Sequence, residues 1–160
     1  MRAHRWRPAG VRHTGTTAQH LRPIITAERV WCRLFSESDA GSDLASLSCS
    51  AVRDGDRYVV NGQKVWCSNG RAADWGILMA RTEPGARHKG ISFLLMDMAT
   101  PGVQTRPLRQ MNGEATFDEV FLDEARIPAA NLLGPGERGL GRRHVGADRR
   151  TGLHRGIGIS

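Results

Sequence analysis

Between residues 30 and 122 the chain is written as short apolar runs broken by turn signals. The signals recur every roughly 8 to 12 residues, a texture that suits a barrel or sandwich of strands. It leaves no room for long amphipathic helices, whose apolar residues would recur every three or four positions. Strands are expected over 47–53, 57–60, 63–67, 74–81, 90–98, 103–108 and 116–122. Asp54-Gly55-Asp56 and Pro101-Gly102 read as turns, and 82–89 as a polar loop. Asn61-Gly62, set between β-formers, predicts a tight hairpin turn, because both central positions of such a turn favour positive φ. The run 90–98 is the most apolar and is expected to lie centrally in the sheet. The fold class read from this pattern is all-β, a compact β-barrel of about seven or eight strands.

The two ends read differently. Residues 1–14 show neither strand nor helix period and are expected to be a disordered basic tail. Over 16–29, Leu21, Ile24, Ile25 and Glu28 fall at helical spacing, but Pro23 limits the element to a turn or two. Residues 138–160 are rich in Gly, Arg and His and hold too little apolar surface to offset the entropy of ordering, so they read as a disordered Arg/Gly-rich tail. Charge follows the same division. Of 23 basic and 16 acidic residues, 1–22 hold five Arg and no acid, and 138–160 hold six Arg and one acid. The centre, 23–137, is left with 12 basic and 15 acidic residues, so the net +7 belongs to the ends. Nucleic-acid binding would have to rest on tails whose one aromatic is Trp6, and it is not expected.

No stretch approaches the roughly 18 to 20 apolar residues of a membrane span. The Arg-rich start lacks the apolar core of a secretory signal. Three cysteines, Cys32, Cys49 and Cys67, make an odd number without CxxC spacing, so neither a zinc site nor a disulfide framework is indicated. A reducing, cytoplasmic location fits them, as buried small hydrophobes on strands. His4, His13, His20, His88, His144 and His154 fall in the tails, the weak helix or the polar loop and read as solvated. No HExxH, GxSxG or P-loop pattern occurs. Glu37, Asp39 and Asp43 cluster around Gly41. They read either as metal ligands or a general base, or as solvated and capping carboxylates.

Two segments carry more specific chemistry. In Phe35-Ser36-Glu37-Ser38-Asp39-Ala40-Gly41-Ser42-Asp43 a strand end runs into a small-residue loop whose N–H groups and hydroxyls can face a ligand. Gly41 permits close backbone approach. In Val65-Trp66-Cys67-Ser68-Asn69-Gly70 a Trp stands close to a hydroxyl at a strand end, offering an aromatic wall and a hydrogen bond to a flat heteroaromatic ligand.

These segments, followed by Pro101-Gly102-Val103 and by Phe117-x-Glu119-Val120-Phe121-Leu122-Asp123, closely resemble in order and spacing the middle domain of acyl-CoA dehydrogenases over residues 30–137. Gly15-Thr16-x-x-Gln19 resembles the end of that family's N-terminal helical domain, which makes 15–29 a helical remnant of it. The resemblance implies a β-barrel against which the isoalloxazine ring of FAD lies. It implies a flavoprotein oxidoreductase of fatty acid metabolism that removes two hydrogens from the Cα–Cβ bond of an acyl-CoA thioester. In the family a Glu takes the α-proton, the β-hydrogen passes as hydride to flavin N5, and electrons go on to an electron-transfer flavoprotein. A related reading is an acyl-CoA oxidase, which returns electrons to oxygen. By position, Leu34, Phe35 and Ser36 would line the flavin pocket with Arg33 at its edge. Gly41 and Ser42 would face the pyrophosphate or the CoA portion, Ser42 also as a substrate contact. Trp66, Cys67 and Ser68 would form the second flavin segment, with the Ser68 hydroxyl near N5.

The chain also departs from the family pattern. Ser38 and Asp39 stand where Pro and Gly are usual, which implies a less rigid loop with added negative charge near the pyrophosphate. Past Gly139 the family continues into amphipathic helices that supply the catalytic Glu and the oligomer interface. The Arg/Gly tail reads instead as a truncation, at this end as at the other. No catalytic residue or metal ligand is therefore assigned, and the chain is expected to be inactive alone, with homo-oligomers requiring the helical domains. The alternative is a non-catalytic β-barrel interaction module derived from the family.

Overall fold

A computed structural model describes residues 14–133. The expected disordered tails over 1–14 and 138–160 lie outside the described residues, Thr14 excepted. Helix α1, Thr14–Ile25, is followed by strands β1 Trp31–Leu34, β2 Ser50–Asp54, β3 Arg57–Ser68, β4 Trp75–Arg81, β5 Ile91–Asp97, β6 Val103–Leu108, β7 Phe117–Pro128 and β8 Leu132–Leu133. Short 3-10 turns occupy Leu44–Ser46, Arg87–Gly90 and Ala129–Asn131. The chain is thus mostly β, as expected, with one mixed sheet of eight strands.

The sheet runs β6-β7-β3-β2-β4-β5-β8, with β1 pairing in parallel to β4. No pairing among the described residues joins its end strands, β6 and β8, so the expected barrel is met by a sheet that is not closed. Its core draws on nearly every strand: Leu34 from β1, Val60 and Cys67 from β3, Leu78 from β4, Leu94 from β5, Val120 and Leu122 from β7, and Leu132 from β8. β5 is as buried as its apolar sequence requires, yet it lies next to the end of the sheet rather than at its centre. Its burial comes from the fold of the sheet around the core and not from its place in the strand order.

The Asn61-Gly62 turn does not form. β2 and β3 are joined one step earlier, at Gly55 and Asp56, where Gly55 supplies a φ of +60°. β3 then runs straight through Asn61-Gly62 and pairs with β7 along both halves. The demand for unusual backbone that marks Asn-Gly is spent on a bulge between Val60 and Gly62. There Gly62 adopts φ +150°, Glu124 opposite adopts φ +49°, and the Asn61 side chain accepts a bond from the Glu124 amide at 2.9 Å. The bulge lets β3 and β7 extend to 12 residues each.

Helix α1 is longer than Pro23 suggested, because the proline falls in its last turn. The expected apolar stripe does not face the sheet: Leu21, Ile24 and Ile25 are exposed. The residue that docks the helix is His20, read from the sequence as solvated but buried here. Its ring meets Trp31 and Trp75 edge-on at 5.2 and 4.5 Å, and the two indoles stack on each other. Burial, and the nearby charge of Arg29, push the His20 pKa down, so the imidazole in this aromatic box is neutral.

Candidate functional site

The two segments singled out in the sequence meet at the start of β1's outgoing loop and the second half of β3. The Val65 amide donates to the Ser36 carbonyl at 2.9 Å, and the Lys64 ammonium donates to the Phe35 carbonyl at 3.1 Å. Beyond this junction, Glu37 and Ala40 exchange backbone hydrogen bonds. The loop is thus closed by its own backbone, and Ser38 and Asp39 are left exposed at its tip. Asp43 caps the following 3-10 turn through the Ala45 amide at 3.1 Å, the capping role that one reading of the acidic cluster foresaw. No group of acids, His or Cys among the described residues is arranged to hold a metal.

Glu37 is neither a solvated carboxylate nor placed as a base. It is buried, with Oε2 accepting from the Ser48 amide at 2.6 Å and the Ser48 hydroxyl at 2.8 Å, and Oε1 from the Cys49 amide at 3.0 Å. Lys64, wholly buried, donates to Oε1 at 2.7 Å. Burial alone would raise the Glu37 pKa, but the hydrogen bonds from Lys64 and Ser48 outweigh it and hold the carboxyl below its ordinary value. Lys64 falls inside the strand expected over 63–67 but was not singled out from the sequence.

At Trp66 the ladder with β7 shifts register and the backbone turns to φ +60°. For a bulky residue this is a strained conformation, worth about 1–3 kcal/mol. Its effect is to expose the indole, which is 56% accessible and packs edge-on against Phe117 at 5.7 Å. Phe117, opposite Ser68 in the ladder, was not foreseen as a neighbour of the site. Asp118 closes the far side: it accepts from the Arg71 amide at 2.9 Å and pairs with the Arg71 guanidinium at 2.6 Å, fixing the turn after Ser68.

The foreseen site residues divide by what they present. Trp66, Ser68, Gly41, Ser42 and Arg33 are exposed, and Phe35 and Ser36 are half-buried. Leu34 and Cys67 have no exposed surface and belong to the core beneath the site rather than to its surface. Phe35 packs inward against Phe93 at 5.8 Å. A Cβ on Gly41 would meet nothing within 4 Å, so the fold itself makes no demand for glycine there. All three cysteines are buried and free, as expected. Burial pushes the thiols of Cys32 and Cys49 up to about 11 and that of Cys67 to about 12, which keeps them protonated and unreactive. The arrangement as a whole is an exposed indole two residues before an exposed serine, carried on a strained but anchored bulge. No helix among the described residues is long and apolar enough to cross a membrane.

Residues 32–124 match the family model described as acyl-CoA dehydrogenase, middle domain. The acyl-CoA dehydrogenase FadE34 of Mycobacterium tuberculosis is 45% identical over 133 residues, 81% of this chain and 19% of the relative. The acyl-CoA dehydrogenase IpdE1 of the same organism is 50% identical over 128 residues, 77% of this chain and 33% of the relative. A crystal structure of an acyl-CoA dehydrogenase from Geobacillus kaustophilus superimposes with a TM-score of 0.72 at 38% identity, covering 76% of this chain and 33% of the other. The chain therefore spans 19–33% of the length of the proteins it is similar to.

Proposed function

The chain belongs to the acyl-CoA dehydrogenase family, and from that membership we propose that residues 30–137 are a middle domain built to contact FAD during α,β-dehydrogenation of an acyl-CoA thioester. The observation that carries this reading is the bulge at Trp66. It turns an indole outward beside the Ser68 hydroxyl, while the Val65 amide ties the same strand to Ser36. A large exposed aromatic in a strained backbone is costly for the fold and useful for a flat ligand. The residues present suit a flavin. Trp66 supplies a wall, Ser68 and Ser36 supply hydroxyls, and Gly41 leaves space for close approach.

FAD, when bound, supplies the hydride-accepting chemistry. The chain's own residues bind and orient. Trp66 would offer the ring an aromatic wall, and Ser68 a hydroxyl able to donate a hydrogen bond to it. The carbonyls of Phe35 and Ser36 are held by the Lys64 ammonium and the Val65 amide, which fixes this loop against β3. Gly41 and Ser42 would face the pyrophosphate or the CoA portion, with Ser42 also a substrate contact and Arg33 at the pocket edge. None of the described residues is assigned the role of base, and in this reading the domain binds and orients without turning over alone. Acyl-CoA and an electron-transfer flavoprotein are the partners of the whole enzyme in this reading.

Trp66→Ala tests it. The variant loses the edge-on contact with Phe117 but little burial, so its melting temperature stays within a few degrees of wild type. An aromatic wall contributes about 1–3 kcal/mol to stacking. FAD affinity, read from flavin fluorescence, therefore falls by roughly 10- to 100-fold. Unchanged affinity in the folded variant contradicts the assignment. The second reading, a non-catalytic interaction module, is favoured by the exposed Leu21, Ile24 and Ile25 on α1. It is distinguished by stable association with a protein partner in the absence of flavin binding.

A further inference from the structure

Of the features the flavin reading leaves unused, the buried Glu37–Lys64 pair has the most extensive connections. Lys64 has no exposed surface, and both of its described hydrogen bonds cross to the other segment, one to Glu37 Oε1 at 2.7 Å and one to the Phe35 carbonyl at 3.1 Å. Glu37 is in turn held by the Ser48 amide and hydroxyl and by the Cys49 amide. One residue further along β3, the Val65 amide holds the Ser36 carbonyl, and one beyond that Trp66 sits at φ +60°.

A buried ion pair is weak grounds for stability, since apolar residues of similar volume often serve as well. An apolar pair could not aim a charged donor at a main-chain carbonyl of the neighbouring segment. A strained residue also persists only where its surroundings over-determine it. The bulge between Lys64 and Cys67 is pinned by the pair on one side and by the buried Cys67 on the other.

We propose that Glu37 and Lys64 are positioning residues: a buried brace that fixes the Phe35–Ser36 segment against the Trp66 bulge and so sets the geometry of the ligand-facing surface. Its link to flavin rests on the reading given above.

The test uses the full 160-residue chain and its Glu37→Gln/Lys64→Met double variant, followed by amide and indole NMR resonances, thermal melting and FAD titration. The brace predicts that the resonances of Ser36, Val65 and Trp66 move and broaden, while those of Leu78 and Leu94 in the core stay in place. FAD affinity falls about tenfold, the loss that one charge-assisted hydrogen bond carries. Resonances of Ser36, Val65 and Trp66 that overlay on wild type overturn the proposal, as does unchanged FAD affinity beside shifted resonances. Should the double variant fail to fold, Glu37→Gln alone, which keeps the side chain's size but sets an NH2 group against donors, is read by the same resonances. If the wild-type chain binds no FAD, the flavin reading fails, and the brace stands or falls on the resonances.

Discussion

Gly62→Ala is expected to lower the unfolding free energy by about 2–5 kcal/mol, combining overpacking with backbone strain. A Cβ at this position would lie 2.8 Å from both the Cα and the Cβ of Cys49, a buried residue whose own backbone is bonded to Glu37 and Arg81. Neither side can withdraw. The φ of +150° adds a conformation that alanine resists wherever space allows it. Gly41→Ala is the control: nothing lies within 4 Å of the added carbon, and the unfolding free energy should stay within about 0.5 kcal/mol. Urea unfolding of the two variants at neutral pH checks the pair. A Gly62→Ala chain as stable as the Gly41→Ala chain would mean that β3 does not pass this close to Cys49.

Glu37→Ala should cost about 3–5 kcal/mol, the loss typical of stranding one member of a buried ion pair. The substitution leaves the Lys64 charge with no exposed surface and removes the acceptor of the Ser48 and Cys49 amides. The pH dependence has a definite sign. Because the folded pKa of Glu37 lies below its ordinary value of 4.5, the carboxylate's contribution is complete above that value and is lost as pH falls through the lower, folded one. Acid unfolding of wild type should therefore steepen below about pH 4.5, and Glu37→Gln should flatten that limb. An acid limb identical in both chains would place the carboxylate outside the buried network.

These two residues also mark how far the sequence could be read. The alternation of apolar runs and turns located most strands, and Val103–Leu108 agrees to the residue. Asn61-Gly62 announced unusual backbone, but a local signal does not say whether the chain reverses or bulges. Pairing of β3 with β7, which sets Gly62 opposite Leu122, decided for the bulge. The second half of β7 was hidden for the same reason, since Asp123 and Glu124 break the alternation opposite that bulge. His20 was misjudged because its partners, Trp31 and Trp75, come from strands that only tertiary structure brings beside the helix.

At the candidate site, Trp66 and Ser68 were legible as types in a spacing. The left-handed backbone that exposes the indole was not, because nothing in Val-Trp-Cys-Ser requires it. Glu37 and Lys64 carried no local hint of each other, being 27 positions apart, and an acid or base read alone is expected to face water.

The central claim is that FAD lies against the face made by Phe35, Ser36 and Trp66 to Ser68. Titrating the isotopically labelled chain with FAD, and following each backbone amide and the Trp66 indole N–H by NMR, tests it most directly. The account predicts saturable shifts concentrated in those residues and in Gly41 and Ser42, with Arg53 and Val52 on the remote part of β2 unmoved. Shifts that fail to saturate, or that gather away from Trp66, would contradict it.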